Sequence, residues 1–301
     1  MDISYENMRS IEKSIAAKID EYITTEFSED FRDHLGASEI GRECEREIFY
    51  KFRWFNEPNY KKVDPDTGEV EDHTARMKRL FQRGHCEEDR LVSYLRGIGA
   101  TVHEVNPETG EQWRVSGLVG GHFGGSLDGI AVLPESVTGL SFPLPVLLEF
   151  KTYGTKSFKR LEKLGLDQTK PEHVTQMSVY GWFYQLQYSV YMAIQKDDDT
   201  LKVLFRKLDP NRGLAAVEKA TRVVLAQNPP DRIREDPSYY KCKFCDHKRT
   251  CHETGLPTLK NCRSCQYGRP MPGPTWVCGQ NNQVIPREVL LQGCDWWEPL
   301  K

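Results

Sequence analysis

The sequence predicts an α/β fold with a small cysteine-rich C-terminal appendage, on three observations. Segments of helical spacing alternate with short apolar runs over residues 3–227. One of those runs, "PVLLEFKTYG" (145–154), is apolar enough to be a buried strand. Beyond about residue 240 the periodicity stops, and Cys, Pro and Gly take over.

In order, residues 3–27 have helical spacing, and "GASEIGRECEREIFYKFRW" (36–54) reads as a turn and a helix with Cys44 in the helix's early part. Residues 56–73 are polar and rich in Pro and Asp, which predicts a loop. A long helix follows over 74–99, with Leu80, Phe81, Leu91 and Leu95 available to face a core. "ATVHEVN" opens a set of strands, and "GGHFGGSLDGIAVLP" (120–134) reads as a Gly-rich turn and a strand. After the 145–154 strand, a second long helix is expected over 171–195 with Pro171 at its start. A strand over 200–209 and a helix over 213–227 complete the pattern. No internal repeat is visible.

The 301 residues suffice for one large domain or a domain with an appendage. With 38% hydrophobic and 28% charged residues, the chain reads as an ordinary soluble globular protein. The net charge of −3 excludes global basicity, so a nucleic-acid surface must be local. No run is long enough to cross a bilayer, and the N-terminus lacks a signal peptide's apolar core. A cytoplasmic protein without membrane contact is expected. Nine cysteines there are more readily metal ligands than disulfides.

The chemistry centres on Glu149 and Lys151. Strand alternation points both to one face and Phe150 to the other. An acid and an amine on a buried strand are costly unless they meet a metal, a partner charge or a substrate. Asp128, in "SLDGI", lies on the preceding strand and could sit beside Glu149 if the two strands are antiparallel. Two carboxylates at one point repel unless a cation lies between them, and Mg²⁺ or Mn²⁺ suits such an all-oxygen site. The Phe150 carbonyl could add another oxygen. His85 and Glu88 share one face of the first long helix, as do His173, Gln176 and Tyr180 on the second.

These pieces together resemble the PD-(D/E)XK nucleases of the RecB-like and lambda-type exonuclease branch, and in particular the iron–sulfur CRISPR-adaptation nucleases. "RGHCEE", "SLDG", "EFK" and "HVTQMSVY" match that family's motifs in its order over residues 83–180. The resemblance implies a restriction-endonuclease-like core, a central mixed sheet flanked by helices. It implies metal binding by Glu88, Asp128, Glu149 and the Phe150 carbonyl, with His85, one turn before Glu88, as a further candidate ligand. Lys151 would assist the attacking water, and Gln176 and Tyr180 would shape the site and its DNA contact.

The cysteines allow two readings. Cys242, Cys245 and Cys251 form C-x2-C-x5-C, which needs a fourth ligand. The resemblance supplies it upstream, in "CEREIFY", implying a [4Fe–4S] cluster on Cys44, Cys242, Cys245 and Cys251 that closes a nuclease domain over 1–257. Cys262, Cys265, Cys278 and Cys294 then remain for one zinc in a tail over 258–301, and Cys86 is left as an expected buried thiol. Alternatively, Cys242, Cys245, Cys262 and Cys265 have the spacing of a zinc ribbon. The aromatic "CDWWEP" either packs on the tail's metal site or stacks on bases.

Basic residues flank the motifs. Lys156, Lys159, Arg160 and Lys163 follow the catalytic strand, and Arg76, Lys78, Arg79 and Arg83 lead into the first motif. Phosphate contact is the functional expectation. The reading is a Mg²⁺- or Mn²⁺-dependent deoxyribonuclease. By the resemblance it acts as an exonuclease on single- or double-stranded DNA ends in recombination, repair or phage DNA processing. With no GxxxxGK[ST] motif, unwinding would need a helicase, recombination or single-strand-binding partner. Two alternatives stay open: a structure-specific endonuclease on the same core, and a non-catalytic DNA-binding or assembly module.

Overall fold

The structure is a computed structural model that describes residues 4–26, 31–56, 61–63 and 70–300. The chain begins with α1 (Tyr5–Glu26), β1 (Leu35–Gly36), α2 (Ala37–Ile40) and α3 (Glu45–Phe52). Then come β2 (Lys61–Val63), β3 (Val70–Asp72), α4 (Thr74–Gly97), β4 (Thr101–His103) and β5 (Arg114–Leu118). A 3₁₀ turn (Val119–Gly121) leads to β6 (Phe123–Ser126), β7 (Gly129–Leu133), α5 (Glu135–Thr138) and β8 (Leu144–Tyr153). Next are α6 (Thr155–Leu164), α7 (Leu166–Thr169), α8 (Pro171–Tyr184), β9 (Tyr188–Gln195), β10 (Leu201–Lys207) and α9 (Pro210–Leu225). The tail holds α10 (Tyr240–Lys243), a π-helical turn (Thr250–Thr254), β11 (Gly268–Met271), β12 (Thr275–Cys278) and α11 (Arg287–Gln292).

Two compact units form, one from Met1–Phe31 and Pro58–Asp89, the other from Arg32–Glu57 and Arg90–Lys301. In the first unit the end of α1 packs on the start of α4. Ile23 and Ala75 are buried there, the Lys78 ammonium donates to the Thr24 carbonyl at 2.8 Å, and Arg79 pairs with Asp20. Lys78 and Arg79 thus serve this packing rather than a free basic surface. Part of the loop expected over 56–73 is instead an antiparallel pair of β2 and β3, and residues 57–60 and 64–69 lie outside the described residues.

The second unit is built on a five-stranded mixed sheet in the order β10-β9-β8-β7-β4. β8 and β9 run parallel, and the other pairs are antiparallel. One face is apolar: Val146, Leu148 and Phe150 of β8 meet Val190, Met192 and Ile194 of β9 under Leu91, Val92 and Leu95 of α4. Burying these side chains is the main driving force for closing this layer. The other face of β8 presents Leu147, Glu149, Lys151 and Tyr153, and α8 reaches it, His173 lying against Tyr191 of β9. α9 closes over α8. Its start is set by Asp209, which accepts from the Asn211 and Arg212 amides, followed by Pro210 in the first turn. A Cβ on Gly213 would come within 2.3 Å of the Ser178 carbonyl, so glycine is what lets the two helices approach.

Several expectations are corrected. The helix expected over 171–195 ends at Tyr184, where Gln185 takes a left-handed φ of 55°, and residues 188–195 form β9 instead. "YSVYMAIQ" is rich in β-branched and aromatic residues, which fit a pleated surface better than a helix. Cys44 does not lie inside α3. It is the helix's N-cap, its sulfur accepting from the Glu47 amide at 3.4 Å. Phe81 and Cys86 are exposed on α4, not buried.

Residues 258–300 pack directly on α3. The guanidinium of Arg263 lies 4.1 Å from the Trp54 ring, 4.4 Å from Phe52 and 4.8 Å from Trp276. Arg53 is buried beside it, 5.2 Å from Trp276 and 5.5 Å from Phe49, and donates to the Gly268 carbonyl at 2.7 Å. Burial pushes both guanidinium pKa values down, Arg53 to about 10. Aromatic faces and carbonyls replace the water these cations give up. Asn261 adds a bond to the Trp54 carbonyl at 2.8 Å, and His122 lies 2.8 Å from the Met271 carbonyl.

Candidate active site

The strand register places the acids. Gly129 of β7 pairs with Leu148 of β8, which sets Asp128 next to Glu149. The Asp128 carboxylate accepts the Phe150 amide proton at 2.6 Å, a bond that holds the end of β7 to the centre of β8. Glu149 is fully buried and pairs with the Lys151 ammonium, which also donates to the Phe150 carbonyl at 3.0 Å. Burial opposes the charge on Lys151, but the neighbouring Glu149 and Asp128 carboxylates outweigh it and hold its pKa above the ordinary lysine value. Lys151 is therefore an ammonium at neutral pH.

α8 lines the same face. Gln176 donates to the Tyr180 hydroxyl at 3.3 Å, and both side chains are buried. Burial, and then the Glu149 charge, push the Tyr180 pKa up, so its hydroxyl stays protonated. β6 gives the tyrosine room: a Cβ on Gly125 would lie 2.5 Å from the Tyr180 oxygen. One turn earlier His173 meets the Tyr191 hydroxyl at 2.9 Å, which lies 2.6 Å from the Tyr153 hydroxyl. Tyr191 stands beside Glu149 in the parallel pair of β8 and β9. Tyr153 and Tyr191 belong to the site's surroundings but were missed by sequence reasoning. Tyr191 was hidden by reading β9 as helix, and the β-branched and aromatic residues of "YSVYMAIQ" were the available signal.

Burial, with Lys151 and Lys170 nearby, lowers the His173 pKa from 6.5 to about 3. Between those values the unfolded chain holds a proton that the folded one does not. The associated stability is complete above pH 6.5 and is lost as pH falls toward 3. Urea midpoints should therefore drop over that window, and His173→Gln should flatten the drop. An equally steep decline in the variant would contradict this account of His173.

Glu88 and His85 lie on α4 in the first unit, with the His85 ring nitrogen 3.6 Å from the Glu88 carboxylate and His85 exposed. Arg83 is exposed on the same helix. Lys156, Lys159, Arg160 and Lys163 are exposed on α6, while Phe158 and Leu161 anchor it. α6 follows β8 after one residue, Gly154, and Asp197 caps it, accepting from the Thr155 amide at 3.1 Å. The basic side chains thus leave the strand that carries Glu149 and Lys151.

Each cysteine quartet lines a cavity. Cys44, Cys242, Cys245 and Cys251 line one cavity of about 690 Å³, with Arg46, Lys219 and Arg232 on its walls. Burial raises the Cys245 thiol to about 12, and burial with the nearby Cys251 and Cys44 raises Cys242. Cys262, Cys265, Cys278 and Cys294 line a second cavity of about 20 Å³ beside Trp296 and Trp297. There burial and the other three sulfurs raise Cys262 to about 11. Trp297 donates to the Asn261 carbonyl at 2.9 Å, and Trp296 is largely exposed. Among the described residues, no group of three or more His, Cys, Asp and Glu side chains is placed so that it could hold a metal ion. What suits a metal is the donor type alone: sulfur suits a soft ion or an iron–sulfur cluster, and carboxylates with a carbonyl suit a hard divalent cation.

No family model matches the sequence, and no curated protein matches it. Solved structures do show a likeness. One is an alkaline exonuclease. That enzyme, LHK-Exo from Laribacter hongkongensis, is 16% identical over 64% of this chain and 86% of its own, with a TM-score of 0.40. Its complex with dAMP gives 14% identity over the same shares and a TM-score of 0.38. The protein SSO0001 is 17% identical over 80% of this chain and 96% of its own, with a TM-score of 0.38. At these scores the likeness carries no inference of function. Among the described residues no helix is long and apolar enough to cross a membrane.

Proposed function

We propose that the chain is a divalent-metal-dependent DNA nuclease. The observation that carries this reading is the junction of Asp128, Glu149 and Lys151 on one face of the sheet, with Asp128 bonded to the Phe150 amide and Lys151 to the Phe150 carbonyl. Asp128 and Glu149 would hold Mg²⁺ or Mn²⁺ together with that carbonyl. When bound, such an ion supplies Lewis-acid stabilisation of charge on the scissile phosphate. Lys151, always protonated at neutral pH, can orient a water and stabilise negative charge but cannot accept a proton. The Tyr180 hydroxyl accepts from Gln176 and, kept protonated, would be left to donate into the site. Glu88 and His85 enter the metal set on the sequence motif alone. Lys156, Lys159, Arg160 and Lys163 would bind the phosphate backbone, with Arg83 contributing from α4.

The mode proposed is exonucleolytic, on single- or double-stranded ends, in a recombination, repair or phage DNA-processing setting. Helicase, recombination or single-strand-binding proteins would be its partners. End-labelled linear DNA should be degraded while covalently closed circles survive. Cutting of the circles would move the reading to a structure-specific endonuclease. A second reading is favoured by the direct Glu149–Lys151 contact, which resembles a closed ion pair: a DNA-binding or assembly module that does not cut.

The cavity lined by Cys44, Cys242, Cys245 and Cys251 would hold a [4Fe–4S] cluster, with zinc the alternative there, and the tail quartet would hold zinc. Either metal would join segments far apart in sequence and stabilise the fold. Anaerobically purified protein should contain iron and acid-labile sulfide, both lost in Cys44→Ala. Zinc as the sole metal would contradict the cluster.

A further inference from the structure

Three side chains on the acid-bearing face of the sheet form a hydrogen-bonded chain that the proposed chemistry does not use. The Tyr191 hydroxyl lies 2.9 Å from a His173 ring nitrogen and 2.6 Å from the Tyr153 hydroxyl. It is held from both sides, by residues of α8 and β8. Tyr191 is completely buried and Tyr153 nearly so. Buried hydroxyls are costly unless they are paired, and these bonds fix where both rings point.

The strand register locates the chain against the charged pair. In the parallel pairing of β8 and β9, Tyr191 stands opposite Glu149, Ala193 opposite Lys151 and Gln195 opposite Tyr153. Opposite residues share a face, so Tyr191 and Tyr153 mark a diagonal, with Lys151 and Ala193 in the row between them. In register the two tyrosines are offset by about 13 Å along the strands. For hydroxyls to meet at 2.6 Å across that offset, both rings must lean inward over the middle row. Ala193 makes room for them, because it brings only a methyl group to that row and is fully buried. The β9 side of Lys151 is thus closed by two tyrosine edges. The ammonium is turned to the acids instead: it pairs with Glu149 and donates to the Phe150 carbonyl at 3.0 Å.

We propose that Tyr191, fixed between His173 and Tyr153, is a positioning residue of the candidate nuclease site: the joined tyrosines wall off the β9 side of Lys151 and aim its ammonium at Glu149 and the Phe150 carbonyl. Tyr191 acts through the lysine and contacts neither metal nor phosphate. A small misplacement of a group that must meet a reacting phosphate is costly in rate, which is what the wall prevents. The inference rests on the nuclease reading for its effect on cleavage, but not for its effect on Lys151.

Two readouts on the full-length chain test it. The first is reductive methylation of Lys151, followed by mass spectrometry of its peptide, which needs no DNA. Only the unprotonated amine reacts, and the Glu149 carboxylate suppresses that form. Tyr191→Phe keeps the ring and removes both links. In it Lys151 should react roughly tenfold faster, the rise in free amine when a lysine pKa falls by about one. The second readout is cleavage of linear DNA with Mn²⁺. The same variant should lose about tenfold in kcat, with KM for DNA within about twofold, because positioning is lost and binding is not. His173→Leu should reproduce both changes. His173→Asn, whose amide can replace the ring nitrogen as the partner of Tyr191, should return both towards the wild type. That pair carries the test should Tyr191→Phe fail to fold. Unchanged Lys151 labelling in Tyr191→Phe, a loss that falls on KM, or an asparagine variant as impaired as the leucine one would each overturn the proposal. A wild type that does not cut DNA overturns the nuclease reading alone, and the labelling then decides the role of Tyr191 by itself.

Discussion

Glu149→Gln is expected to remove metal-dependent DNA cleavage, on the order of 10²–10³-fold or more in rate, while the protein stays folded. The reason is local. Glu149 is the only one of the three charged groups that is wholly buried, and its carboxylate is the strongest influence raising the Lys151 pKa. The glutamine keeps the shape and loses both the charge for a divalent cation and the partner that holds the ammonium in place. Lys151 retains the Phe150 carbonyl and the nearby Asp128, and it is partly exposed, so the loss of one charge does not strand the other. Single-turnover cleavage at saturating metal would measure the effect. Near wild-type cleavage by the variant would mean that Glu149 belongs to a structural ion pair.

The largest effect on stability is expected at Arg263. Its side chain is almost fully buried among Trp54, Phe52 and Trp276, with donors to the Arg32 and Asp33 carbonyls at 3.2 Å. Arg263→Ala removes the centre of the stack between the tail and α3 and should cost about 3–5 kcal/mol, as truncating large core side chains does. Arg263→Met keeps most of the volume and removes a buried charge with another, Arg53, beside it. It should lie within about 1 kcal/mol of the wild type, because apolar replacement of a buried ion is often neutral. Urea unfolding of metal-replete protein separates the outcomes. If the methionine variant were as unstable as the alanine one, the cation itself, and not the volume, would hold the tail.

The charged face of β8 was legible because alternation in "LLEFK" admits one arrangement of Glu149, Phe150 and Lys151. The place of Asp128 was legible once an antiparallel pair was assumed, since it directly precedes β7, whose Gly129 pairs with Leu148 beside Glu149. The same local rules failed at β9. The run "VYMAI" (190–194) is apolar throughout, and periodicity alone does not tell a buried parallel strand from a buried helix. Only the left-handed Gln185 marks the break, and glutamine announces no such turn. With β9 went Tyr191, and with it the chain of His173, Tyr191 and Tyr153. The stack of Arg53 and Arg263 was equally hidden, because residues more than two hundred positions apart meet there through tertiary packing. Spacing and resemblance grouped the cysteines into two quartets, each of which lines one cavity, but spacing says nothing about whether a metal binds there.

The central claim is that the acids at the junction of β7 and β8 hold a catalytic divalent ion. Its most direct test is cleavage of linear single- and double-stranded DNA by the wild type and by Asp128→Ala, each with Mn²⁺, Mg²⁺ or EDTA. The account predicts degradation by the wild type with metal, none with EDTA, and none by the variant under any condition. A folded, metal-replete wild type that degrades neither substrate, or an Asp128→Ala protein that cuts as the wild type does, would contradict it.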